Sequence, residues 1–371
     1  MIPFKRVIGL IACSIMLTVP LLAFAGNGNA ITLIEQQDRL IECHPGKPVS
    51  VMRGISQLTG LKTTESYQPV LVEFYNVNGG VYATAPKGIG EASIIYEYQV
   101  NTNGQTGIAA LFQDGLPERV GPIGDASVGG MMIQTDWDCG YVYHDLPSNV
   151  DGTYSNLAYS LQAWIDSNAL IHGIDLFPAN VSSVKEWKRC FYSDASMIIG
   201  QNYYVDTSGI KAILERKKHL PKDIVFRFFD PDKYDEEDDA IPVSEVDIRT
   251  ASKIYSSGFV YDRDCREYAR WVGESNQYGD VSEDKQLVVA NVIVQRVDYT
   301  VADKNMAPSV IGKGNADIFT MGQYIEGYWV RDSMDTHTQY YDSDGDPVVL
   351  APGTTYILLL SNSTSVVILN Y

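Results

Sequence analysis

The sequence is poor in cysteine and histidine, and it lacks the short motifs that identify common catalytic and metal centres. It has five residues of each type among 371, with no C-x-x-C pair, no H-E-x-x-H pair and no G-x-S-x-G turn. These absences argue against a structural zinc site, a zinc protease and a serine hydrolase of the nucleophile-elbow type. We therefore predict that the protein holds no metal and no cofactor.

Basic residues are also scarce, and long apolar runs are nearly absent. The 28 Lys and Arg residues stand against 46 Asp and Glu residues, which gives a formal net charge of −18 at pH 7. An acidic surface repels phosphate backbones, so the composition argues against nucleic-acid binding. After residue 25 no apolar stretch reaches the roughly 20 residues that span a bilayer, so we expect a soluble body.

The first 25 residues have the pattern of a secretory leader. Lys5 and Arg6 form a basic start, residues 7–19 are an uncharged apolar core, and Ala23 and Ala25 stand where a signal peptidase reads small residues. This order predicts a signal peptide over residues 1–25. The mature protein is then extracytoplasmic, whether secreted, periplasmic or at the cell surface.

Two other interpretations of the leader stay open at the level of sequence. Residues 10–13 fit the short pattern that precedes a lipidated cysteine at Cys13, although the apolar run before it is short. Residues 7–25 also approach the length of an uncleaved membrane anchor. In both interpretations the protein contacts the membrane only through the leader or through a lipid on Cys13.

The four cysteines after the leader are expected to form disulfides, because thiols oxidise outside the cytoplasm. Cys43, Cys139, Cys190 and Cys265 allow three pairings. We favour a bond between Cys139 and Cys190, since both lie well inside the first predicted domain. Cys43 would then pair with Cys265.

Length and charge distribution predict two domains. The mature chain of about 345 residues is long for a single typical domain. Six of the eight residues over 232–239 are acidic, and such a run stays solvated because its charges repel each other, so we place the domain boundary there. The prediction is a lead-in segment at 26–47, a mixed α/β domain at 48–235 and a smaller, mainly antiparallel β domain at 241–371. The overall fold class is α+β.

Local patterns predict strands along much of the chain and two helices. Residues 154–165 and the apolar stripe over 210–214 have helical spacing, and Asp206 or Thr207 caps the second helix. The predicted strands cover residues 69–75, 94–100, 108–113, 141–144, 224–229, 286–299, 324–330, 338–341, 356–360 and 366–369.

Three glycine-containing stretches are predicted to be turns or loops. Residues 101–105 include Asn103-Gly104, which favours a tight hairpin. Residues 312–317 lack the third glycine of a dinucleotide-binding loop, so we predict a plain loop. Residues 342–346 look like the start of a calcium loop, but position twelve is Gly353, so we predict a turn in which Gly345 has a positive φ.

Short stretches in a consistent order, from residue 47 to the C-terminus, match a known family. They are residues 94–98, 111–114, 120–123, 201–207, 261–262, 268–270, 280, 291–295, 327–329, 341–345 and 352–355. Through them the chain resembles the YerB-like family of bacterial envelope proteins, which are built from two domains of unknown function. The resemblance implies a two-domain architecture and an envelope location, and it implies no reaction.

The chain departs from the family at positions that usually carry arginine. The family has arginines after its Thr and in a Gly-Pro-Val-Arg-Ser-Ala-Arg segment, where this chain has Gly107, Gly124 and Ser127. Converging arginines bind carboxylate or phosphate through bidentate contacts. If the family pocket binds an anion, this member has changed its ligand or lost the site.

The candidate binding groove lies around the stretches that the family shares. Five features contribute to it: a strand with a central glutamate, a Gly-Pro turn, the loop after this turn, a histidine at a strand end and an Asn-x-Tyr segment. The predicted site residues are Glu97, Gly121, Pro122, Asp125, His144, Asn202 and Tyr204. His144 follows a strand, at a position where a general base could lie, and Asp136 and Asp138 are close to it in sequence.

These observations predict a secreted or envelope-associated binding protein with an unknown ligand. Its 24 tyrosines suit contacts in sugar or peptide grooves, although tyrosines also pair across strands in β-rich folds. The expected partner is an envelope protein or a cell-wall component. The alternative is a cell-wall hydrolase or transferase with Glu97 or Asp125 as acid or base. Whether the protein is an enzyme stays open from the sequence.

Overall fold

The fold comes from a computed structural model of the chain. It describes residues 40–41, 54–76, 86–144, 172–175, 187–196, 202–218, 221, 226–229, 243–249, 256–273, 276–277, 279–280, 285–302 and 305–370. Within these residues the chain is mostly β-strand, with two α-helices. In the same residues no helix is both long and apolar enough for a membrane crossing.

The described part of the first half contains strands β1–β9 and both helices. The strands are β1 (Leu40–Ile41), β2 (Val70–Phe74), β3 (Ile94–Gln99), β4 (Thr106–Phe112), β5 (Gly140–Tyr143), β6 (His172–Asp175), β7 (Phe191–Ser193), β8 (Tyr203–Val205) and β9 (Arg227–Phe229). The helices are α1 (Val128–Trp137) and α2 (Thr207–Arg216). Two short 3-10 helices lie at Ile89–Glu91 and Trp187–Cys190.

The described part of the second half consists of strands. They are β10 (Val243–Arg249), β11 (Ser257–Asp262), β12 (Glu267–Val272), β13 (Asn276–Gln277), β14 (Gly279–Asp280), β15 (Lys285–Gln286), β16 (Val288–Val289), β17 (Asn291–Val297), β18 (Tyr299–Ala302), β19 (Asn305–Pro308), β20 (Gly312–Thr320), β21 (Gln323–Arg331), β22 (Gln339–Asp342), β23 (Val349–Leu350), β24 (Thr355–Ser361) and β25 (Ser365–Asn370).

Both halves of the chain contribute to one ten-stranded sheet, which we call the main sheet. Its order is β22-β21-β20-β17-β24-β3-β4-β2-β5-β6. The halves meet where β24 runs parallel to β3, with Ile357 opposite Tyr96. The central strands β3 and β24 are buried on both faces, as strands inside a covered sheet are. The architecture is therefore continuous across the two sequence halves.

Each face of the main sheet carries its own hydrophobic core. On one face, Ile95 and Leu358 pack with Phe259 and Tyr268 of a second sheet and with Leu214 of α2. This second sheet has the order β13-β12-β11-β10-β25, with β16 added to β12. On the opposite face, α1 and a small sheet of β1, β9 and β23 complete the other core. The alternation of side chains along each strand assigns neighbouring residues to opposite cores.

Helix α2 confirms the prediction from helical spacing. Asp206 is its N-cap and accepts a hydrogen bond from the backbone N of Gly209 at 3.0 Å. Ile210, Ile213 and Leu214 are buried as the apolar stripe requires. The predicted helix at residues 154–165 and the acidic run at 232–239 lie outside the described residues.

Helix α1 was not predicted, and its environment explains why. Eight of its ten residues are buried, among them Gly129, Gly130, Gln134 and Asp136. A helix that is buried almost all round has no polar face, so it shows no amphipathic period. Only Ser127 marks the start, and it acts as the N-cap for the backbone N of Gly130.

The strand predictions hold in most of the described chain, and one loop prediction is wrong. Strands β2–β5, β9, β17, β21, β22, β24 and β25 overlap the predicted strands. Gly104 and Gly345 have the positive φ that their turns need. Residues 312–317, predicted to be a plain loop, form the first part of β20 and pair with β21. Their glycines hid the strand because glycine is uncommon in strands. The division into a mixed domain and a β domain stays a prediction.

The predicted Cys139–Cys190 disulfide is wrong, because the main sheet separates the two residues. Cys139 is a free buried thiol in the core with α1, whereas Cys190 belongs to the core on the opposite face. A disulfide needs Cα atoms within roughly 7 Å, which a sheet between the side chains prevents. Cys43 lies outside the described residues, so its pairing with Cys265 stays a prediction.

We expect Cys139 to resist alkylation in the folded, reduced protein. Its side chain is buried, and burial raises the pKa of the thiol, so almost no thiolate is available at neutral pH. Iodoacetamide labelling followed by peptide mass spectrometry would show Cys139 labelled only after unfolding. The exposed Cys265 is the internal control. A Cys139–Cys190 cross-linked peptide in a non-reduced digest would contradict the structure.

Candidate functional site

The Gly-Pro turn and the Asn-x-Tyr segment, predicted separately to belong to the site, lie side by side. Val120 and Val205 exchange backbone hydrogen bonds of 2.8 and 2.9 Å, and the backbone N of Ile123 donates to the carbonyl of Tyr203 at 2.8 Å. Gly121, Pro122, Asn202 and Tyr204 are brought together by this pairing. The structure thus brings together two segments, about 80 residues apart, that both contain predicted site residues.

Gly121 is required at this contact. Its φ is +148°, and a Cβ there would lie 2.7 Å from the carbonyl oxygen of Tyr203. The peptide bond to Pro122 is cis, and the Pro122 carbonyl accepts a hydrogen bond from the backbone N of Tyr75 at 2.9 Å. Any larger residue at 121 would push β8 away from the turn.

Asp125 and His144 form the accessible edge of the site. The Nδ1 atom of His144 lies 3.3 Å from Oδ1 of Asp125, whose side chain is half exposed. The backbone N of His144 donates to the Gly124 carbonyl at 2.7 Å, and its ring lies 4.5 Å from the ring of Tyr203. These contacts hold the imidazole against a tyrosine, with the carboxylate beside it.

Two cations cover Tyr204 on the other side of β8. The Nζ atom of Lys87 lies 5.0 Å from the centre of the Tyr204 ring. The Cζ atom of Arg119 lies 5.9 Å from the same ring and 5.7 Å from the ring of Tyr192. Cations at these distances are attracted to the ring faces. We call this area, made of Lys87, Arg119, Asp125, His144, Tyr192, Tyr203 and Tyr204, the tyrosine–cation surface.

The ion pairs of the described residues include neither Lys87 nor Arg119, since no carboxylate oxygen of these residues lies within 4.0 Å of either cation. Both cations interact electrostatically with Asp194, whose pKa is lowered by hydrogen bonds from Ser196 and, to a smaller extent, by the two cations. In a chain with a net charge of −18, two cations without an ion-pair partner among the described residues form a local attraction for anions.

Gly107 and Gly124, two positions at which the family resemblance implies arginine, leave no room for a side chain here. A Cβ at Gly124 would lie 2.7 Å from the carbonyl oxygen of Phe74, and a Cβ at Gly107 would lie 2.9 Å from the Tyr98 ring. Ser127 is committed to capping α1. Positive charge close to the Gly121–Pro122 turn comes instead from Lys87 and Arg119.

A buried carboxyl group lies behind the site. Tyr98 donates a short hydrogen bond to Glu73, Tyr141 donates to its Oε2 at 3.0 Å, and Ser127 donates to its Oε1 at 3.1 Å. Burial raises the pKa of Glu73 to about 7, although the three hydroxyl donors lower it, and the charge of Asp125 raises it further. Glu73 on β2 thus links β3, β5 and the N-cap of α1.

Glu97, the other predicted site carboxylate, is buried away from the groove. Its side chain is 2% exposed, and its Oε2 accepts from Arg270 at 2.8 Å, from Tyr356 at 2.8 Å and from Ser257 at 2.9 Å. Its Oε1 accepts from Thr106 at 2.9 Å. Glu97 therefore connects the main sheet to the second sheet and has no oxygen free for a ligand.

The sequence reasoning missed Glu73, Lys87 and Arg119. Glu73 did carry a signal, because it is the single charged residue in the otherwise apolar strand Val70–Phe74. Lys87 and Arg119 had none, since isolated basic residues in loops are common. Asp136, noted beside His144 in sequence, instead pairs with His337, which lies 201 residues away.

Comparisons with known proteins match two family profiles along the chain. Residues 58–219 match the profile described as "Protein of unknown function (DUF3048) N-terminal domain", and residues 246–357 match its C-terminal domain. The crystal structure of YerB protein from Bacillus subtilis is similar to this fold, with a TM-score of 0.63 and 19% identity. The alignment covers 84% of this chain and 99% of that one. A search of the curated proteins found no match.

Proposed function

Because this chain belongs to the YerB-like, DUF3048 family of two-domain proteins of unknown function, we propose that it is an extracytoplasmic binding protein whose ligand contacts the tyrosine–cation surface. The observation that carries the proposal is the pair of cations, Lys87 and Arg119, held over tyrosine rings without a carboxylate partner among the described residues. The leader pattern supports a location outside the cytoplasm, where envelope polymers and proteins are the available partners.

The chemistry of the surface favours an anionic glycan of the cell wall. Tyr192 and Tyr203 are exposed or half-buried and offer flat faces of the kind that stack on sugar rings. Lys87 and Arg119 add the charge that recognises carboxylate or phosphate groups. An acidic protein would otherwise be repelled by such polymers, so a local basic patch is the feature that permits contact.

Removing both cations should weaken binding to purified peptidoglycan sacculi. We expect Lys87→Ala/Arg119→Ala to raise the apparent dissociation constant about tenfold in a co-sedimentation titration, which corresponds to about 1.4 kcal/mol. The salt dependence of binding should also become weaker, because fewer charges are in contact. The matched control is Lys313→Ala/Arg263→Ala, which removes two exposed cations outside the surface and changes the net charge equally.

Equal weakening by both double variants would show that only net charge matters and would overturn the proposed surface. Release of soluble fragments from the sacculi would instead favour the hydrolase or transferase alternative. Since Glu97 is enclosed, that alternative now depends on Asp125 beside His144. Asp125→Asn should then abolish the release while leaving the fold intact.

A further inference from the structure

The second sheet has one buried side and one side that stays partly exposed. Val246, Phe259 and Tyr268 are buried in the core that this sheet shares with the main sheet. Because side chains alternate along a strand, Glu245 and Val260 lie on the opposite side. The register places one residue from each of five strands in line there, and we call this line the outer row: Leu369, Glu245, Val260, Ala269 and Val288.

The outer row is broad, mostly apolar and accessible. Each of its residues is exposed or half-buried, and the side chains of Val260 and Val288 are 37% and 41% exposed. Neighbouring strands lie about 4.8 Å apart, so the row is about 20 Å long. The charged group in the row is the carboxylate of Glu245, which is paired across the strands with Leu369 and Val260. The row therefore combines apolar contact area with one negative charge.

The carboxylate of Glu245 has no basic partner among the described residues, since none of their ion pairs includes it. Asp247 lies two positions further along β10, on the same side of the sheet, and adds a second negative charge. Partial burial raises the pKa of Glu245, and the charge of Asp247 raises it further. A cation placed beside Glu245 would offset this repulsion, and apolar neighbours strengthen the attraction between opposite charges.

We propose that the outer row docks one amphipathic helix of a partner protein, in which lysine or arginine lies among apolar residues. Charge complementarity selects this occupant, because the charge in the row is a carboxylate and the remaining contacts are apolar. A helix with its side chains is about 10–12 Å wide, so a row of this length accommodates one helix. A second copy of this chain has a net charge of −18 and would be repelled, as would an anionic membrane surface.

The test uses a synthetic peptide in place of the partner. The probe is a fluorescein-labelled amphipathic helix made of leucine and lysine, with leucine at positions i, i+3, i+4 and i+7. A second peptide has glutamate in place of lysine and is otherwise identical. Fluorescence anisotropy follows the titration of each peptide with the full-length protein. We expect saturable binding of the lysine peptide, at least about tenfold tighter than that of the glutamate peptide.

One substitution separates the outer row from the net charge of the protein. Val260→Lys removes an exposed apolar contact and places an ammonium group directly opposite Glu245. Opposite charges on neighbouring strands attract each other, so the fold should tolerate the change. We expect the lysine peptide to bind this variant at least about tenfold more weakly. The matched control is Val301→Lys, at an exposed position of β18, which changes the net charge equally and should keep the dissociation constant within about twofold.

A second variant tests the carboxylate by itself. Glu245→Gln keeps the shape of the side chain, and we expect it to weaken binding of the lysine peptide about threefold. Glu326→Gln, at an exposed glutamate of β21, is its control and should leave binding unchanged. Absence of saturable binding, equal affinity for the two peptides, or equal effects of either variant and its control would overturn the proposal. None of these results bears on the tyrosine–cation surface, so the two proposals fail independently.

Discussion

Glu97→Ala should lower the free energy of unfolding by about 3–5 kcal/mol, which is a large part of the stability of an ordinary domain. The substitution removes the carboxylate that faces Arg270, whose side chain is fully buried. Arg270 would keep its hydrogen bonds to Tyr356 and to the carbonyl of Trp271, but it would lose the carboxylate that lies 2.8 Å from its Nη2 in the core between the two sheets. Removing one partner of a buried ion pair is strongly destabilising.

A double variant distinguishes the loss of the Glu97–Arg270 ion pair from a general loss of packing. Glu97→Leu/Arg270→Met replaces both charged groups with apolar ones of similar size, and we expect it to be much less destabilised than Glu97→Ala. Urea unfolding followed by tyrosine and tryptophan fluorescence gives the free energies. Glu118→Ala, at an exposed glutamate, should stay within about 0.5 kcal/mol of the parent. If Glu97→Ala behaves like Glu118→Ala, Glu97 does not join the two sheets as described.

Glu73 should make the protein less stable as the pH rises from about 4.5 to about 7. The pKa of this group is raised from 4.5 to about 7 in the fold, so between those values the folded state keeps a proton that the unfolded state has lost. Protonation then favours the folded state below this window, and the advantage disappears as the pH passes 7. The shift corresponds to about 3 kcal/mol across the window.

The matched variant for this effect is Glu73→Gln, which keeps the shape and stays neutral. We expect the free energy of unfolding of Glu73→Gln, relative to the parent, to rise by about 3 kcal/mol between pH 4.5 and pH 7.5. Taking the difference removes the contribution of other groups. Asp136 acts in the opposite direction, because its pKa is lowered, and its stabilisation is lost only as the pH falls below its unfolded value. A flat difference across this range would show that the fold does not raise the pKa of Glu73.

The buried position of Glu73 also bears on the proposed site. Its three hydroxyl partners include Ser127, which caps α1 directly after the Asp125 loop. Ionisation of Glu73 therefore changes the charge next to Asp125 without changing the exposed surface. The sacculus titration should accordingly be made at one pH, well above 7, where Glu73 is ionised.

Features that depend on neighbours along the chain were readable from the amino-acid order. The apolar runs of β3 and β24, the Asn103-Gly104 turn and the Asp206 cap of α2 all follow from contacts between residues a few positions apart. The shared stretches also pointed to the family and to the Gly121–Pro122 turn as part of a surface. Local propensity and periodicity carry that information because they act over one turn or one strand.

Features that depend on strand order had no local signal. Glu97 lies inside the protein because β3 and β24 pair in parallel and the second sheet places Arg270 above them. Cys139 and Cys190 are separated because their side chains lie in the cores on opposite faces of the main sheet. Asp136 contacts His337, which lies 201 residues further along the chain. Such contacts arise when distant segments are packed together, so the same residue types in the same local sequence could have been accessible or enclosed. Packing between the two halves made that choice here.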